Sequence, residues 1–563
     1  MRRLRPVRSF IGRTGKDALI NFKSRKFVLI TAISLVVVVL AGGGAYLLLR
    51  TKGSPEQAAK DFLAAWQSGD TAAMKKQVAQ PPAAFDTAYA QLRTGLGVQG
   101  VKTQLGKVTK SGDTTSAAFH VTLTLNAVGA WSYDGRLDLT DSDRQWRVKW
   151  SPAAIHPGLA AGQKLTVATR WPQRGAILAA DGTRMDAAGA TGSVQQLTGY
   201  VTPATKKDVK RLGAPYKPGD EVGVGGIQQQ YETRLAGKPT ASITIADASG
   251  KAVKTVGRLQ GRNGTDVRTS LSPKAQHAAA AAIISQKKPT ALVAIRPSTG
   301  EVLAVANVPG GFNRALVGNY APGSTFKVVT AEALAKAGVT PSTTVQCPKT
   351  INIGGMTVHN SEDESFGPIP FRTAFAKSCN TAFAGTTKAK ISGARLKAAA
   401  QLFGFNQPMN IGLPANGGRF PSVGDDAELA AASFGQGKVT ANPLQMASVA
   451  AGVGDGTWRP PHLVTTPKVA QKTSPHKLPS GVDQQLREMM RAVVTSGTAA
   501  GSGLPSGTYG KTGTAEYGTG KNPPTHAWFT AYRGDVAMAV VVEGGGFGGK
   551  VAAPIAAKFF KGL

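Results

Sequence analysis

The segment APGSTFK, residues 321–327, determines how the second half of this chain is interpreted. Pro and Gly at 322–323 interrupt regular structure, and the alanine-rich residues 331–337 favour a helix that begins near Ser324. On that helix Ser324 and Lys327 share a face, so the amine can reach the hydroxyl oxygen. A serine hydroxyl is a weak nucleophile until a base lies within hydrogen-bond reach. The segment therefore predicts a nucleophile, Ser324, with its own base, Lys327.

Two further motifs follow along the chain, SCN at 378–380 and KTG at 511–513. A Ser-x-x-Lys spacing alone is weak, because it also occurs at 285–288 and 474–477. KTG occurs once, between residues that favour a strand. Its cation, Lys511, together with desolvation would lower the pKa of the first motif's lysine and leave that amine partly neutral. The three motifs in this order predict acyl transfer on serine.

Composition narrows the possible partners. The chain has 563 residues, which predicts two to four domains, and a net charge of +34, which predicts a polyanionic neighbour such as nucleic acid or a membrane surface. Its two cysteines, Cys347 and Cys379, are too few for a disulfide scaffold, and a bridge between them is possible but not predicted. The sequence has no clustered zinc-ligand pattern, so we expect no metal and no cofactor.

The N-terminus predicts a membrane anchor. Residues 1–26 carry nine Lys or Arg and one Asp, and residues 27–49 are apolar without a charge, long enough at about 1.5 Å per residue to cross a bilayer. A cleavable signal peptide is the alternative, but the apolar run continues through 46–49, past the small residues at 41–45. The basic tail predicts a cytoplasmic N-terminus, with the chain after Arg50 outside the cell membrane. Lipid headgroups and anionic wall polymers then replace nucleic acid as the explanation of the charge.

Residues 54–160 are predicted to form a small separate module, a helix followed by strands. The helix, over 55–67, places one apolar stripe on a single face: Ala59, Phe62, Leu63 and Trp66. Apolar and polar residues alternate through 119–125 and 146–150, as in half-buried strands. We interpret the module as a spacer or partner platform, with a packing domain without chemistry as the alternative.

Short motifs connect the first half of the chain to a known family. FLAAW at 62–66 resembles the NTF2-like N-terminal module of the MecA-type penicillin-binding proteins. RWPQRG at 170–175 and GIQQQY at 226–231 resemble the pedestal of class B penicillin-binding proteins, in which an Arg-Gly turn precedes a strand and a glycine-led helix follows. The resemblance implies a pedestal, or dimerisation, domain over 161–268 without catalytic residues.

Residues 269–563 are interpreted as one α+β domain. An alanine-rich helix over 272–286 precedes strands at 291–295 and 301–306, joined by a turn at 297–300. This hairpin is similar to the start of the central antiparallel sheet of a transpeptidase domain. The fold class expected for the whole chain is thus α+β, with a single N-terminal transmembrane helix, an NTF2-like module, a pedestal and a serine transpeptidase domain whose sheet is flanked by helices.

The longer motifs PGSTFK, KSCNT and KTGTA, with HAWF at 526–529, resemble the class B penicillin-binding proteins over roughly the last half of the chain. The resemblance implies that Ser324 attacks the penultimate D-alanine carbonyl of a peptidoglycan stem peptide and that Lys327 takes its proton. Ser378 would relay a proton to the leaving D-alanine, and Asn380 would orient the lysine and the substrate amide.

The same resemblance implies how the substrate is held. The backbone N–H groups of Ser324 and Thr514 would form the oxyanion hole. Lys511, Thr512 and Thr514 would bind the terminal carboxylate, and Gly513 would let the substrate backbone approach closely. An amine of a neighbouring stem would then resolve the ester and complete a cross-link. β-Lactams would be covalent inhibitors, and a glycosyltransferase of the elongation or division machinery would be a partner.

Other interpretations remain open. A DD-carboxypeptidase would use the same residues but transfer the acyl group to water, and a β-lactam sensor or scaffold would bind without turnover. A β-lactamase would need a deacylating glutamate, which the sequence does not reveal. A phosphate loop at 544–550 is excluded because Val551 replaces the Ser or Thr that binds magnesium. We interpret His526 as a cleft-wall or packing residue and the acidic run 362–364 as a solvated face. We interpret Cys379 as a residue on a turn between helices that fills space without a chemical role.

Overall fold

The computed structural model describes residues 51–187, 192–519 and 523–563. They form two compact units: the first extends to Ala168 and includes Ala241–Leu259, and the second comprises Thr169–Thr240 and Gln260–Leu563. The predicted cytoplasmic tail, 1–26, and membrane helix, 27–49, lie outside the described residues. Within the part that is described, no helix combines the length and the apolar character needed to cross a bilayer.

Helices and strands follow one another along both units. The α-helices in the described residues are α1 (Pro55–Ser68), α2 (Thr71–Lys76), α3 (Phe85–Leu96), α4 (Gly192–Thr198), α5 (Lys206–Leu212), α6 (Gly226–Gln230), α7 (Glu232–Ala236), α8 (Pro273–Ile283), α9 (Arg314–Val317), α10 (Lys327–Lys336), α11 (Phe371–Ala376), α12 (Asn380–Lys390), α13 (Gly393–Leu402), α14 (Asp426–Ser433), α15 (Pro443–Asp455), α16 (Val482–Thr495) and α17 (Gly548–Lys561). The strands are β1 (Val98–Ser111), β2 (Thr114–Leu125), β3 (Gly129–Ser142), β4 (Gln145–Lys149), β5 (Lys164–Arg170), β6 (Ile177–Leu178), β7 (Tyr200–Pro203), β8 (Glu221–Val224), β9 (Thr240–Ala246), β10 (Ala252–Leu259), β11 (Val267–Thr269), β12 (Thr290–Ile295), β13 (Val302–Val308), β14 (Thr344–Cys347), β15 (Thr350–Ile353), β16 (Met356–His359), β17 (Gly367–Pro370), β18 (Thr457–Trp458), β19 (Val464–Thr466), β20 (His476–Lys477), β21 (Tyr509–Glu516), β22 (Thr525–Arg533) and β23 (Val536–Val542).

Helix α1 confirms the helix predicted over 55–67. The Ser54 hydroxyl accepts a hydrogen bond from the Gln57 amide, and Pro55 fills a first-turn position where the missing N–H costs nothing. Gly69, with φ of 76°, ends the helix in the left-handed conformation. The predicted apolar stripe is buried, with no member more than 3% exposed: Ala59, Phe62, Leu63 and Trp66. Each large side chain in it contributes about 2 kcal/mol of burial.

Strands β1 to β4 form an antiparallel sheet in sequence order. The alternation predicted over 119–125 is confirmed, because every second side chain of β2 is buried, as Phe119, Val121, Leu123 and Leu125 show. Phe119 lies opposite Gly135 of β3, and a Cβ at Gly135 would come within 2.2 Å of the Phe119 ring. This glycine therefore leaves the space that the aromatic ring occupies in the core of the first unit.

The hairpin of β9 and β10 packs in the first unit, although the sequence places it within the predicted pedestal, 161–268. Ile243 and Ile245 lie on the buried face of β9 and join the same apolar core as Phe62 and Leu165. The alternation of β9 indicates that one face is buried but not which element covers that face. Which unit the hairpin joins is decided by contacts between residues far apart in sequence.

The two pedestal motifs meet in the second unit through Arg174, which contacts Gln228 of the second motif and Glu232 directly after it. The Arg174 guanidinium donates to the Glu232 carboxylate at 2.6 and 3.1 Å and to the Gln228 side-chain oxygen at 2.6 and 3.0 Å. Glu232 is 3% exposed and also accepts hydrogen bonds from the Gly223 amide and the Tyr216 hydroxyl. The ion pair holds the Arg-Gly turn against α7, and the hydrogen bonds to Gln228 hold it against the glycine-led helix α6.

A five-stranded antiparallel sheet in the order β13-β12-β23-β22-β21 organises the rest of the second unit. The hairpin predicted at 291–306 is confirmed as β12 and β13. All six residues of β12 are buried, which requires cover on both faces of the sheet. Strand β21 stands at the edge of this sheet, so one side of its backbone is free of a neighbouring strand.

One buried carboxyl group in this unit has no partner. Glu332 on α10 is 0% exposed, and neither of its carboxylate oxygens has a hydrogen-bond partner within the described ranges. Desolvation raises the pKa of Glu332 from 4.5 to about 7, opposed weakly by Lys336. Because the folded-state pKa is the higher one, stability is lost as the pH rises from about 4.5 to about 7, and the loss is complete above that range.

We therefore expect Glu332→Gln to raise the Tm at pH 8, because a neutral amide removes the cost of an unpaired buried charge. The gain should shrink toward pH 4, where the wild-type group is protonated in both states. Thermal unfolding at the two pH values measures the effect, with Glu364→Gln, an exposed carboxyl, as the control. Equal shifts at pH 4 and pH 8 would argue against an ionised buried carboxylate.

Candidate active site

Ser324 lies in a 3₁₀ turn, Gly323–Phe326, that leads directly into α10. The turn is tight because Gly323 has φ of 52°, where a Cβ would come within 2.7 Å of the Thr514 carbonyl oxygen. Ser324 is 9% exposed and Lys327 is fully buried. The Lys327 Nζ lies 3.0 Å from the Ser324 Oγ, so the structure brings together the two residues that the sequence predicts as nucleophile and base.

Lys327 is surrounded by oxygen atoms. Besides the Ser324 Oγ, its Nζ lies 2.7 Å from the Ser378 carbonyl oxygen, 3.3 Å from the Ser378 Oγ and 2.6 Å from the Asn380 Oδ1. Burial, and secondarily the charge of Lys511, hold the pKa of Lys327 well below its ordinary value. The amine can therefore be neutral where an exposed lysine would be charged, as a base requires.

The turn between α11 and α12 carries the second motif. Ser378 has φ of 62°, the left-handed region, which costs a residue with a side chain about 1 kcal/mol. Its Oγ accepts a hydrogen bond from the Lys511 Nζ at 2.8 Å, so this hydroxyl lies between the two lysines. Asn380 begins α12 and donates from Nδ2 to the His359 carbonyl oxygen at 3.0 Å, which orients its Oδ1 toward Lys327.

Strand β21 carries the third motif at the free edge of the sheet. Lys511 is fully buried, and burial lowers its pKa to about 7. Its Nζ donates to the Thr512 carbonyl oxygen at 2.9 Å as well as to Ser378. The Thr514 hydroxyl accepts a hydrogen bond from the Gly548 amide at 3.4 Å, and Thr514 lines the same cleft as Ser324.

Gly513 of the third motif lies against the turn that carries the nucleophile. A Cβ at this position would lie 2.9 Å from the Thr325 Cγ2 and 3.0 Å from the Pro322 carbonyl oxygen. The absent side chain therefore leaves room for the turn that carries Ser324. The strand and the nucleophile can approach each other only with glycine here.

These residues open into a cleft of about 830 Å³. Ser324, Asn380 and Thr514 line it, together with residues that the sequence did not single out: Met356, His359, Gln436, Glu516 and Phe547. The loop of Gly435 supports the nucleophile turn, since the Gly323 amide donates to the Gly435 carbonyl oxygen at 2.9 Å. The glycines on either side of Gln436 are the signal that could have identified this loop.

Two interpretations from the sequence need revision. The acidic run 362–364 is not only a solvated face, because Glu362 and Asp363 line the cleft; Asp363 pairs with Lys349 at 3.1 Å. Cys379 does lie on a turn between helices, but it is joined to Cys347 by a disulfide, with the Cα atoms 6.3 Å apart. His526 is 8% exposed and stacked on the Tyr517 ring at 4.0 Å, which fits the interpretation as a packing residue.

Family comparisons match three consecutive parts of the chain. Residues 54–163 match the family described as "NTF2-like N-terminal transpeptidase domain", residues 175–269 the "Penicillin-binding Protein dimerisation domain", and residues 290–561 the "Penicillin binding protein transpeptidase domain". The order of the three matches is the order of domains expected from the sequence motifs.

Individual relatives agree with these matches. Peptidoglycan D,D-transpeptidase PbpA of Mycolicibacterium smegmatis is 34% identical over 357 residues, which cover 52% of this chain and 71% of the relative. Peptidoglycan D,D-transpeptidase MrdA of Acinetobacter baumannii is 27% identical over 63% of this chain and 62% of the relative. Among solved structures, Pseudomonas aeruginosa PBP2 in complex with WCK 5153 superposes with a TM-score of 0.58 at 25% identity, over 70% of this chain and 96% of that one.

Proposed function

This chain belongs to the penicillin-binding protein transpeptidase family, and we propose that it cross-links peptidoglycan stem peptides through an acyl-enzyme on Ser324. The observation that carries the proposal is the arrangement of two buried lysines and two serine hydroxyls. The Ser324 Oγ lies 3.0 Å from the Lys327 Nζ, and the Ser378 Oγ lies 3.3 Å from the Lys327 Nζ and 2.8 Å from the Lys511 Nζ. Protons can pass between these groups without leaving the site.

Acylation begins with the neutral amine of Lys327. The amine takes the proton of Ser324 as the Oγ attacks the carbonyl carbon of the penultimate D-alanine. The backbone N–H groups of Ser324 and Thr514 stabilise the negative oxygen that forms, each worth about 10²–10³-fold in rate. The C–N bond then breaks, and the leaving D-alanine amine receives its proton through the Ser378 hydroxyl, which links the two lysines.

Binding and deacylation use the edge of the sheet. The charge of Lys511, with the hydroxyl of Thr514, holds the terminal carboxylate of the donor stem. The Thr512 hydroxyl, which the sequence also assigned to the carboxylate, lies 2.5 Å from the Thr498 hydroxyl and does not line the cleft. An acceptor amine then attacks the ester carbonyl, Lys327 takes a proton from that amine, and Ser324 is released. The product is an amide between two stems. A β-lactam carbonyl would enter the same cleft and acylate the same oxygen.

Exchange of the terminal D-alanine tests this proposal. The full chain in detergent is incubated with a stem pentapeptide that ends in D-Ala-D-Ala, together with a different D-amino acid as acceptor, and the products are analysed by mass spectrometry. Incorporation of the acceptor indicates transpeptidation, and a tetrapeptide alone indicates carboxypeptidase activity. Neither product from folded protein would indicate a sensor or scaffold and would contradict the proposal.

We also propose, on the sequence alone, that residues 27–49 anchor the chain in the cell membrane with its catalytic part outside. A glycosyltransferase partner of the elongation or division machinery is proposed as well, because cross-linking needs newly made glycan strands.

Fractionation of membranes, with protease applied to intact spheroplasts, tests whether the catalytic part lies outside the membrane. Protection of the catalytic part from external protease would contradict it.

The pH dependence of acylation provides an independent prediction. The rate constant for penicillin acylation should rise with pH as Lys327 loses its proton. The rise should occur at a pH well below the pKa of an ordinary lysine. It should fall above a pH of about 7 as Lys511 loses the charge that holds the carboxylate, approaching about tenfold per pH unit. Rate measurements between pH 5 and pH 9 with a fluorescent penicillin check this profile, and a rate constant independent of pH would argue against the two lysines.

A further inference from the structure

The two cysteines of the chain connect the second motif to strand β14. Cys379 is the middle residue of the motif at 378–380, and Cys347 ends strand β14. Their sulfurs form a disulfide, and both residues are buried, at 2% and 0% exposure. The bridge closes a segment that contains the β15–β16 hairpin, whose second strand lines the cleft.

The residue next to the bridge is the strained one. Ser378 holds φ of 62°, a conformation that persists in a residue with a side chain only when its surroundings enforce it. Two backbone hydrogen bonds stabilise this conformation. The Ser378 amide donates to the Phe375 carbonyl oxygen at 3.1 Å, and the Cys379 amide donates to the Ala374 carbonyl oxygen at 2.9 Å. Both come from α11, on the same side of the turn. They leave the turn free to move together with that helix.

On the other side of the turn, Asn360 makes several contacts beside the Asn380–His359 hydrogen bond and a bond from the Thr381 hydroxyl to the Pro348 carbonyl oxygen at 2.7 Å. Its Nδ2 donates to the Pro348 and Glu364 carbonyl oxygens, both at 2.9 Å, and its Oδ1 accepts from the Thr381 amide at 3.1 Å. The disulfide lies beside this network, with the Cys347 Sγ 3.6 Å from the Asn360 Nδ2. It is the covalent connection across an interface that is otherwise held by hydrogen bonds.

The turn supplies most of the contacts of the catalytic amine. Three of the four oxygens around the Lys327 Nζ belong to Ser378 and Asn380, the residues on either side of Cys379. A small shift of this turn would therefore change the position and the hydration of the base together. Displacements of about 1 Å in positioning groups can reduce rates by about 10²-fold.

We propose that the Cys347–Cys379 disulfide is a positioning element of the active site, which keeps the 378–380 turn against Lys327, so that opening the bridge slows acylation of Ser324. This inference rests on the proposed function, because it concerns the efficiency of the same site. The hydrogen bonds of Asn360 remain when the bridge is open, so the loss is partial, about 10- to 100-fold. A thiol reductant that opens the bridge therefore slows acylation of Ser324 without binding in the cleft.

The chemistry of opening is thiol–disulfide exchange. One thiolate of dithiothreitol attacks a sulfur of the bridge and forms a mixed disulfide, and its second thiolate closes the cyclic disulfide of the reagent. Two electrons and two protons pass to the protein, which then carries two free thiols. Because the bridge is buried, reduction requires opening of the surrounding structure and proceeds slowly in the native state.

The test compares Cys347→Ala with Val345→Ala in the full chain. Both residues are buried on β14, so the two variants lose packing on the same strand, but only the first loses the bridge. We expect Cys347→Ala to slow acylation by a fluorescent penicillin about 10- to 100-fold, and Val345→Ala to change it less than about threefold. The rising limb of the pH profile should move to higher pH in Cys347→Ala only, because water at the loosened turn reduces the desolvation of Lys327.

Reduction of the wild-type chain provides a second measurement if the variant fails to fold. Dithiothreitol is applied until maleimide labelling of a separate sample shows two thiols by mass. Acylation of the reduced, unlabelled chain is then measured. Reoxidation of that chain should restore the original rate. Equal rates and unchanged pH profiles in the bridged and open forms, or equal losses in both variants, would overturn the inference. If the oxidised wild-type chain is neither acylated by penicillin nor able to turn over a stem peptide, the proposed function fails instead, so the two failures are distinguishable.

Discussion

Ser324→Ala is expected to abolish covalent labelling by penicillin, with a loss of acylation rate of at least about 10⁴-fold, as for other serine nucleophiles. The variant lacks the oxygen atom that we assign to the ester. Its fold should persist, because the Ser324 Oγ makes one hydrogen bond, to Lys327, and the change removes a single oxygen. Labelling by a fluorescent penicillin on a denaturing gel, alongside thermal unfolding, separates loss of chemistry from loss of structure.

The chain supplies a matched control for this variant. Ser285 also precedes a lysine by three residues, but it is exposed and far along the chain from the motifs of the cleft. Ser285→Ala should be labelled like the wild type. Persistent labelling of Ser324→Ala, or loss of labelling in Ser285→Ala, would show that the nucleophile has been assigned to the wrong residue.

Lys327→Met should lower the acylation rate by about 10³-fold or more, near the upper range for removal of a general base. Methionine fills a similar volume without the lone pair that accepts the serine proton. Lys327→Arg distinguishes a base from a charge, since arginine keeps the positive charge but cannot lose its proton in a protein. Both variants should therefore be equally impaired if the amine acts as the base.

Lys336→Met is the control for this pair of variants. Lys336 ends the same helix, α10, but its side chain is exposed and it does not line the cleft. The acylation rate of the Lys336→Met variant should stay within about twofold of the wild-type rate. A Lys327→Arg variant that retains most of the activity would mean that the charge of Lys327, and not its basicity, serves the reaction.

Structural features that depend on the spacing of nearby residues could be predicted from the sequence. Ser324 and Lys327 lie within one turn, so their distance follows from helix geometry alone. The alternation of Val121, Leu123 and Leu125 likewise identified a strand with one buried face. That the 378–380 and 511–513 motifs join the same site was an expectation from family resemblance, not from geometry.

Features that depend on contacts distant in sequence were not predictable in the same way. The pattern KTG gives no sign that Gly513 faces the Thr325 methyl group, because the two residues meet only after the sheet has formed. Cys347 and Cys379 are separated by 32 residues, and a pairing over that distance depends on how β14 and the turn after α11 pack. The acidic run 362–364 is similar: its charges predict exposure, but not that the exposed surface is the wall of a cleft.

Peptide mapping of the penicillin-treated full chain by mass spectrometry shows whether an ester forms between the Ser324 Oγ and the penicillin carbonyl. Attack on the lactam carbonyl breaks the ring C–N bond, so the adduct retains the entire mass of the inhibitor. We expect one adduct per chain, located on the peptide that contains Ser324. An adduct on any other residue, or folded protein that gains no mass and turns over no stem peptide, would contradict this expectation.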